Sequence, residues 1–198
     1  MATYYWVGGS GTWDNASNAN WSASSGGAGG AGIPNNTDTV IFDSGSGTTA
    51  TVTVAATATC LNATINKSDI NLSLSGSPTF AGTPTLTTGT LTLNSYTLTA
   101  LRFYSTGTAT RSISFGTGKL SLSGNGPLVL DVANTGFTAT GSRVVDLTYA
   151  GATGTRTLRW GYQVQYAEGS AVNLNILGGT DTVAFATDGN FTANNINF

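Results

Sequence analysis

Two segments of the chain decide how the rest is read: YSTGTATRSISFG at Tyr104–Gly116 and YAGATGTRTLRWG at Tyr149–Gly161. They align without a gap at an offset of 45 residues (149 − 104). Tyr104 meets Tyr149, Arg111 meets Arg156, Ile113 meets Leu158, Phe115 meets Trp160 and Gly116 meets Gly161. Threonine matches carry little weight in so Thr-rich a chain. Arg and aromatic matches carry more, because both types are scarce here. Repetition at fixed register points to stacked, quasi-identical units.

Working outward from the repeat, the chain shows period-two alternation in short bursts. Leu72/Leu74, Leu91/Leu93, Leu101/Phe103, Ile113/Phe115, Leu120/Leu122, Leu128/Leu130/Val132 and Val145/Leu147/Tyr149 each alternate with small or polar residues. The series runs on through Leu158/Trp160, Val164/Tyr166, Val172/Leu174/Ile176, Val183/Phe185 and Ile196/Phe198. Such alternation means strands with one face in a core and the other in water. Outward positions are mostly Thr and Ser, which suit a strand surface. Turn signals rich in Gly, Ser, Thr and Asn separate the bursts, and no helical period is visible.

About six bursts fall within the 45-residue offset, which predicts two coils of a three-sided solenoid of about 22 residues each. On that geometry Phe115 and Trp160 share an inward column, and Arg111 and Arg156 an outward one. The predicted fold is therefore all-β, a parallel β-helix or β-solenoid. The rival is an antiparallel β-sandwich, which also gives short strands at regular spacing but has no reason to repeat sequence at fixed register.

Residues 1–50 differ from residues 51–198. They hold Trp6, Trp13 and Trp21, three of the four tryptophans, and a Gly/Ser/Ala loop at Ser24–Gly32. They read as an N-terminal cap or docking segment over the open end of a solenoid spanning residues 51–198. Aromatic side chains cover such an end efficiently. Tyr4, Tyr5, Trp6, Trp13 and Trp21 are the candidates for a docking or glycan-stacking surface, with cap packing as the favoured role.

Composition narrows the function classes. Of 198 residues only 8% are charged, the net charge is −2, and 39% are hydrophobic. Ordinary domains carry about 25% charged residues, so the surface is covered by neutral polar groups. The seven Lys and Arg form no cluster, which leaves no basic footprint for nucleic acid. No polybasic helix or apolar run of about 18 residues points to membrane insertion. The first residues lack the pattern of a signal peptide, so export by that route is not expected unless a leader was removed. Cys60 is the only cysteine, which excludes an internal disulfide and fits a small buried hydrophobe.

There is no histidine, so His-based triads, zinc-His sites and His-dependent nucleases are excluded. Cys60 has no base partner to make it a nucleophile. Asp38 and Asp43 flank one short strand and read as turn caps. Asp131 and Asp146 lie in neighbouring bursts and read as surface ion-pair partners of Arg143 or Arg156. A polysaccharide-cleaving carboxylate pair is the alternative. Arg111 and Arg156 are the positions to test for a lyase base, but no dense acidic cluster accompanies them. GTGKLS (Gly116–Ser121) fails the phosphate-loop pattern, since Leu120 follows Lys119. No cofactor or metal is expected.

The opening YYWVGGSGTWDNASNANWS (Tyr4–Ser22), the glycine loop and IPNNTDTVIFDSGSG (Ile33–Gly47) resemble a recurrent N-terminal segment of phage-encoded and bacterial surface proteins. Those proteins are built from Thr/Gly-rich β-solenoids. The stretch LTLNSYTLTALRFYSTGTATRSISFGTGKLSLSG (Leu91–Gly124) is similar to the repeat that follows in them. The resemblance implies a parallel β-helix-like fold and a role on the virion or cell surface, and it implies no catalytic residues. The leading expectation is a non-enzymatic phage structural protein displayed on the virion: a capsid decoration, tail appendage or fibre, with a host-surface attachment role. A bacterial surface adhesin or passenger fragment, and a depolymerase on a β-helix, are the alternatives. Expected partners are other virion proteins, further copies of the chain (a trimer is one solution, covering the open coil at NNINF) and a cell-surface glycan.

Overall fold

The computed structural model describes residues 1–133, 135–162, 171–185 and 193–198. Val164, Tyr166, Glu168 and Asp188 lie outside the described residues. The strands in chain order are β1 (Thr3–Trp6), β2 (Gly11–Trp13), β3 (Trp21–Ser22), β4 (Thr39–Phe42), β5 (Thr51–Val54) and β6 (Asn62–Leu74). Then come β7 (Pro84–Thr92), β8 (Thr97–Ala100), β9 (Phe103–Ser105), β10 (Arg111–Ser114), β11 (Lys119–Leu122) and β12 (Leu130–Ala133). The series continues with β13 (Phe137–Thr140), β14 (Val144–Leu147), β15 (Thr155–Tyr162), β16 (Val172–Ile176), β17 (Thr182–Phe185) and β18 (Ala193–Asn197). No α-helix occurs among the described residues; one 3₁₀ turn spans Ser44–Ser46.

The strands stack into a three-sided parallel β-solenoid. The first face runs β1, β4, the start of β6, the start of β7, β9, β12, β15 and β17. The second runs β2, β5, the end of β6, the end of β7, β10 and β13. The third runs β8, β11, β14, β16 and β18. β6 and β7 each pass through a corner without leaving the ladder, so each serves two faces. At that corner Gly89 has φ +92, and a Cβ there would lie 2.4 Å from the Lys67 carbonyl oxygen. Only glycine fits so close an approach at positive φ.

Alternation places one inward column on each ladder. On the second face it reads Val52, Leu72, Leu91, Ile113 and Ala139. On the third it reads Leu98, Leu120, Val145 and Leu174, all at most 1% exposed. Ile196 continues that column on the edge strand β18 at 37% exposure. At the other end, β3 pairs antiparallel with β1 and closes the edge of the first face. Trp6, Trp13 and Trp21 fill the end of the core with Phe42 and Phe80, at centroid distances of 5.1 Å for Trp6–Trp21 and 5.2 Å for Trp13–Phe80. The aromatic-rich segment thus forms the first coil of the same sheet, through β1 and β2, as well as its lid.

One expectation is corrected. The 45-residue repeat does not mark two coils in register. Arg111 opens β10 on the second face, and Arg156 lies in β15 on the first. Five strands separate the two copies, one turn and two further sides. The reason is that turn length varies: successive ladder partners are 19 residues apart at Leu86–Ser105 and 28 apart at Asp131–Arg159. What repeats is a corner. Both copies cross a Gly/Thr turn between strands and place Arg at the start of the strand that follows, Arg111 first in β10 and Arg156 second in β15. The correspondence ends at the glycine: Gly116 turns a corner at φ +57, while Gly161 lies within β15. Phe115 and Trp160 are both buried but occupy different sides.

Truncating an inward residue leaves a cavity in a close-packed stack. Leu120→Ala is expected to cost about 2–5 kcal/mol in urea unfolding. Ser121→Ala, outward on the same strand, is expected to stay within about 0.5 kcal/mol.

Candidate functional site

The aromatic candidates separate on burial. Trp6, Trp13 and Trp21 are 0–1% exposed, and two of them direct their indole N–H inward to local acceptors. Trp6 Nε1 donates to the Gly9 carbonyl at 2.8 Å and Trp13 Nε1 to Asn15 Oδ1 at 2.9 Å. Tyr4 and Tyr5 are half-buried, so in this arrangement they are the members of the set that a partner can reach. Tyr4 is also packed against the lid core.

The arginines of the repeat are not an outward column, a second correction: Arg111 and Arg156 are each 1% exposed. Arg111 Nε donates to Ser105 Oγ at 2.8 Å, Nη1 to the Ala109 and Thr135 carbonyls, and Nη2 to the Ser105 carbonyl. Its guanidinium lies 5.7 Å from the Phe137 ring centroid. A tight corner turns several carbonyls inward, and buried carbonyls need donors. One planar guanidinium supplies up to five N–H groups. Arg156 does the same at its corner, donating to the Gly178 carbonyl and bidentately to Asp181 at 2.8 and 2.6 Å. These arginines bind their corners together, which leaves neither placed as a lyase base.

The carboxylates are likewise engaged. Asp131 is 5% exposed and pairs bidentately with Arg159 at 2.9 and 2.5 Å. Asp146 is 2% exposed, meets Lys119 at 2.6 Å and accepts from Asn175 Nδ2 at 2.7 Å. The partners are thus Arg159 and Lys119, not Arg143 or Arg156, and both aspartates are buried. Parallel register sets Asp131 level with Arg159 and Asp146 level with Asn175, while Lys119 reaches Asp146 diagonally from two positions before Ser121, the residue level with Asp146. Asp131 is on the first face and Asp146 on the third, so no shared cleft forms. Asp38 and Asp43 make turn and cap bonds as expected: Asp38 accepts from the Ala2 and Asn35 amides, and Asp43 from the Gly45 amide. Among the described residues no three His, Cys, Asp or Glu gather as metal ligands, and no helix is long and apolar enough to cross a membrane.

What the site search does find is a surface lattice beside a groove. On the second face the outward pairs are Thr51/Thr53, Asn71/Ser73, Thr90/Thr92, Ser112/Ser114 and Thr138/Thr140. They stand in two columns, one residue per coil. The hydroxyls are tied both along and across the columns: Thr90 Oγ1 and Ser112 Oγ, neighbours in one column, are 3.0 Å apart, and Thr92 Oγ1 donates diagonally to Asn71 Oδ1 of the other column at 2.9 Å. At the corner between the first and second faces lies an open groove of about 740 Å³, lined by Ser44, Thr48, Asn66, Lys67, Asp69 and Thr88 among others. Lys67 and Asp69 form an ion pair there, and Asp69 also accepts the Thr49 amide at 2.8 Å. The hydrogen bond from Lys67, with that amide, holds the Asp69 carboxyl below the usual carboxylate range. The pair therefore persists from neutral into mildly acidic pH and is lost as pH falls through that lowered value. The T-x-T and S-x-S spacing was visible in the sequence, but which of three sides each pair occupied was not.

In comparison with known proteins, no family model, no curated protein and no solved structure matches this chain.

Two predictions follow from the buried polar groups. Asp181→Asn strands a buried guanidinium, since both side chains are at most 1% exposed. It is expected to cost about 3–5 kcal/mol in urea unfolding. Cys60 is 0% exposed, and burial pushes its thiol well above the ordinary range. The thiol should not react with Ellman's reagent until the protein unfolds. Because the folded pKa is the higher one, the unfolded state alone ionises above about pH 8.5, so stability should fall as pH rises past that point. Cys60→Ala should flatten that slope.

Proposed function

We propose that this chain is a non-enzymatic structural protein displayed on the surface of a phage particle, as a decoration, tail appendage or fibre, with a role in attachment to the host surface. The observation that carries this reading is the solenoid itself: a continuous parallel stack with a closed N-terminal end and a neutral hydroxylated exterior. Such a stack holds its shape without disulfides, because successive coils are hydrogen-bonded to each other along two or three ladders. The non-enzymatic part is supported by the use of Asp131, Asp146 and Asp181 in ion pairs and by the embedding of Arg111 and Arg156 in corners. The partners proposed are other virion proteins and further copies of the chain.

Immunogold electron microscopy of purified particles, with antibody raised against this chain, tests the reading. Gold on the head is expected for a decoration protein and gold on the tail for an appendage or fibre. Particles carrying no gold would overturn the virion assignment and favour a bacterial surface adhesin.

A further inference from the structure

The second face differs from the other two in its chemistry. Its outward positions from Thr51 to Thr140 are Thr, Ser and Asn only. The third face carries Lys119 and Asp146 outward, and the first carries Asp131 and Arg159.

The same face is ordered in two directions. Coils lie about 4.8 Å apart, and outward residues two apart on a strand are about 6.6 Å apart. The bonds that tie Thr90 to Ser112 and Thr92 to Asn71 fix the hydroxyls before any ligand arrives, which lowers the ordering cost of binding. A hydroxyl has one donor and two acceptor positions, so each keeps capacity after that one bond. The groove borders this lattice. Its wall residue Thr88 lies on β7 two positions before Thr90, and Asn66 lies on β6 before Asn71. Groove and columns both run across successive coils, along the solenoid axis.

We propose that the second face, together with the groove at its border, binds an extended neutral polysaccharide laid along the solenoid axis. Each contact is a hydroxyl meeting a hydroxyl, weak alone and summed over a repeating ligand. An acidic polymer would call for Arg or Lys along the track, and the columns have none. With no aromatic platform on the face, isolated sugars gain too little to bind, so recognition belongs to the polymer. In the groove, the Lys67 ammonium and the Asp69 carboxylate offer a donor and an acceptor side by side, the pairing that adjacent sugar hydroxyls require. This inference deepens the attachment part of the surface-protein reading and rests on it.

The test is retention of the purified 198-residue chain on insoluble chitin, cellulose and cross-linked dextran, with calcium alginate gel as the acidic comparator. Retention on at least one neutral polymer is expected, unaffected by high salt and not competed by monosaccharide. The double substitution Thr92→Lys with Ser114→Lys should lower it about tenfold, as when several summed contacts are blocked together. Thr99→Lys on the third face should leave it unchanged, with unfolding curves confirming that both proteins fold. The proposal is overturned if no neutral polymer retains the chain, if alginate retains it and salt releases it, or if Thr99→Lys is as damaging. Loss of retention in a chain that does label particles removes the polysaccharide and leaves the surface assignment. Retention in a chain that labels no particle does the reverse.

Discussion

The in-register parallel ladder is the constraint on which everything else in this protein depends. Once two coils are hydrogen-bonded strand over strand, each side chain has a fixed neighbour about 4.8 Å above and below it. Inward, that neighbour must be apolar and of fitting size, which produces the column from Val52 to Ala139. Outward, it must be something that can sit beside its own kind. Hydroxyls and amides can do this by bonding along the column, as Asn175 bonds to Asp146 and Asn197 to Asn175. Charges can do it only as opposites, as where Asp131 stacks on Arg159, or beside neutral neighbours, as where Asp146 lies between Ser121 and Asn175 and meets Lys119 diagonally. The low charge of the chain is thus what stacking like on like permits.

The corners pose the complementary problem. Between strands the ladder lapses and carbonyls turn toward the interior. Short corners solve this with glycine, as at Gly89 and Gly116, where a close backbone contact takes the place of a side chain. The corners that lead into β10 and β15 solve it with a buried arginine. Arg111 and Arg156 each gather carbonyls from neighbouring coils and rest against a ring, Phe137 in one case and Tyr149 in the other. The cost of burying a guanidinium is offset by donors the corner needs in any case. Arg156 additionally requires Asp181, which makes that corner depend on two residues from successive coils.

Period-two alternation was enough to read most strands and inward residues, because alternation is a direct image of one buried face, but Leu101 and Phe185, in the alternating series, are 41% and 39% exposed. The lid was legible as well, since three tryptophans in one short segment need a place to pack. Side assignment was not legible. A turn ranges from 19 residues at Thr85–Tyr104 to 41 at Gly11–Val52, so equal spacing in sequence does not mean equal position around the prism. That is why Arg111 and Arg156, 45 residues apart, pointed to one outward column and occupy two buried corners. Their burial was hidden for a further reason: arginine rarely lies inside, and only the carbonyls of a corner, invisible in sequence, make it welcome there. The hydroxyl columns were half legible. The T-x-T spacing gave outward direction, but the sorting of neutral pairs onto one side emerges only when the coils are stacked.

The antiparallel pairing of β3 with β1 gives the molecule a polarity. Every other strand pair in the described stack runs parallel, so each edge is a template for one more coil laid in the same sense. Where β3 crosses β1, the template is reversed and only two residues long, and the lid loop is bonded across it through the Ala31 amide and the Trp21 carbonyl. A further parallel coil has nothing to copy there. The first face therefore has a direction: its ladder is closed at the tryptophans by a reversed strand and runs parallel all the way from there.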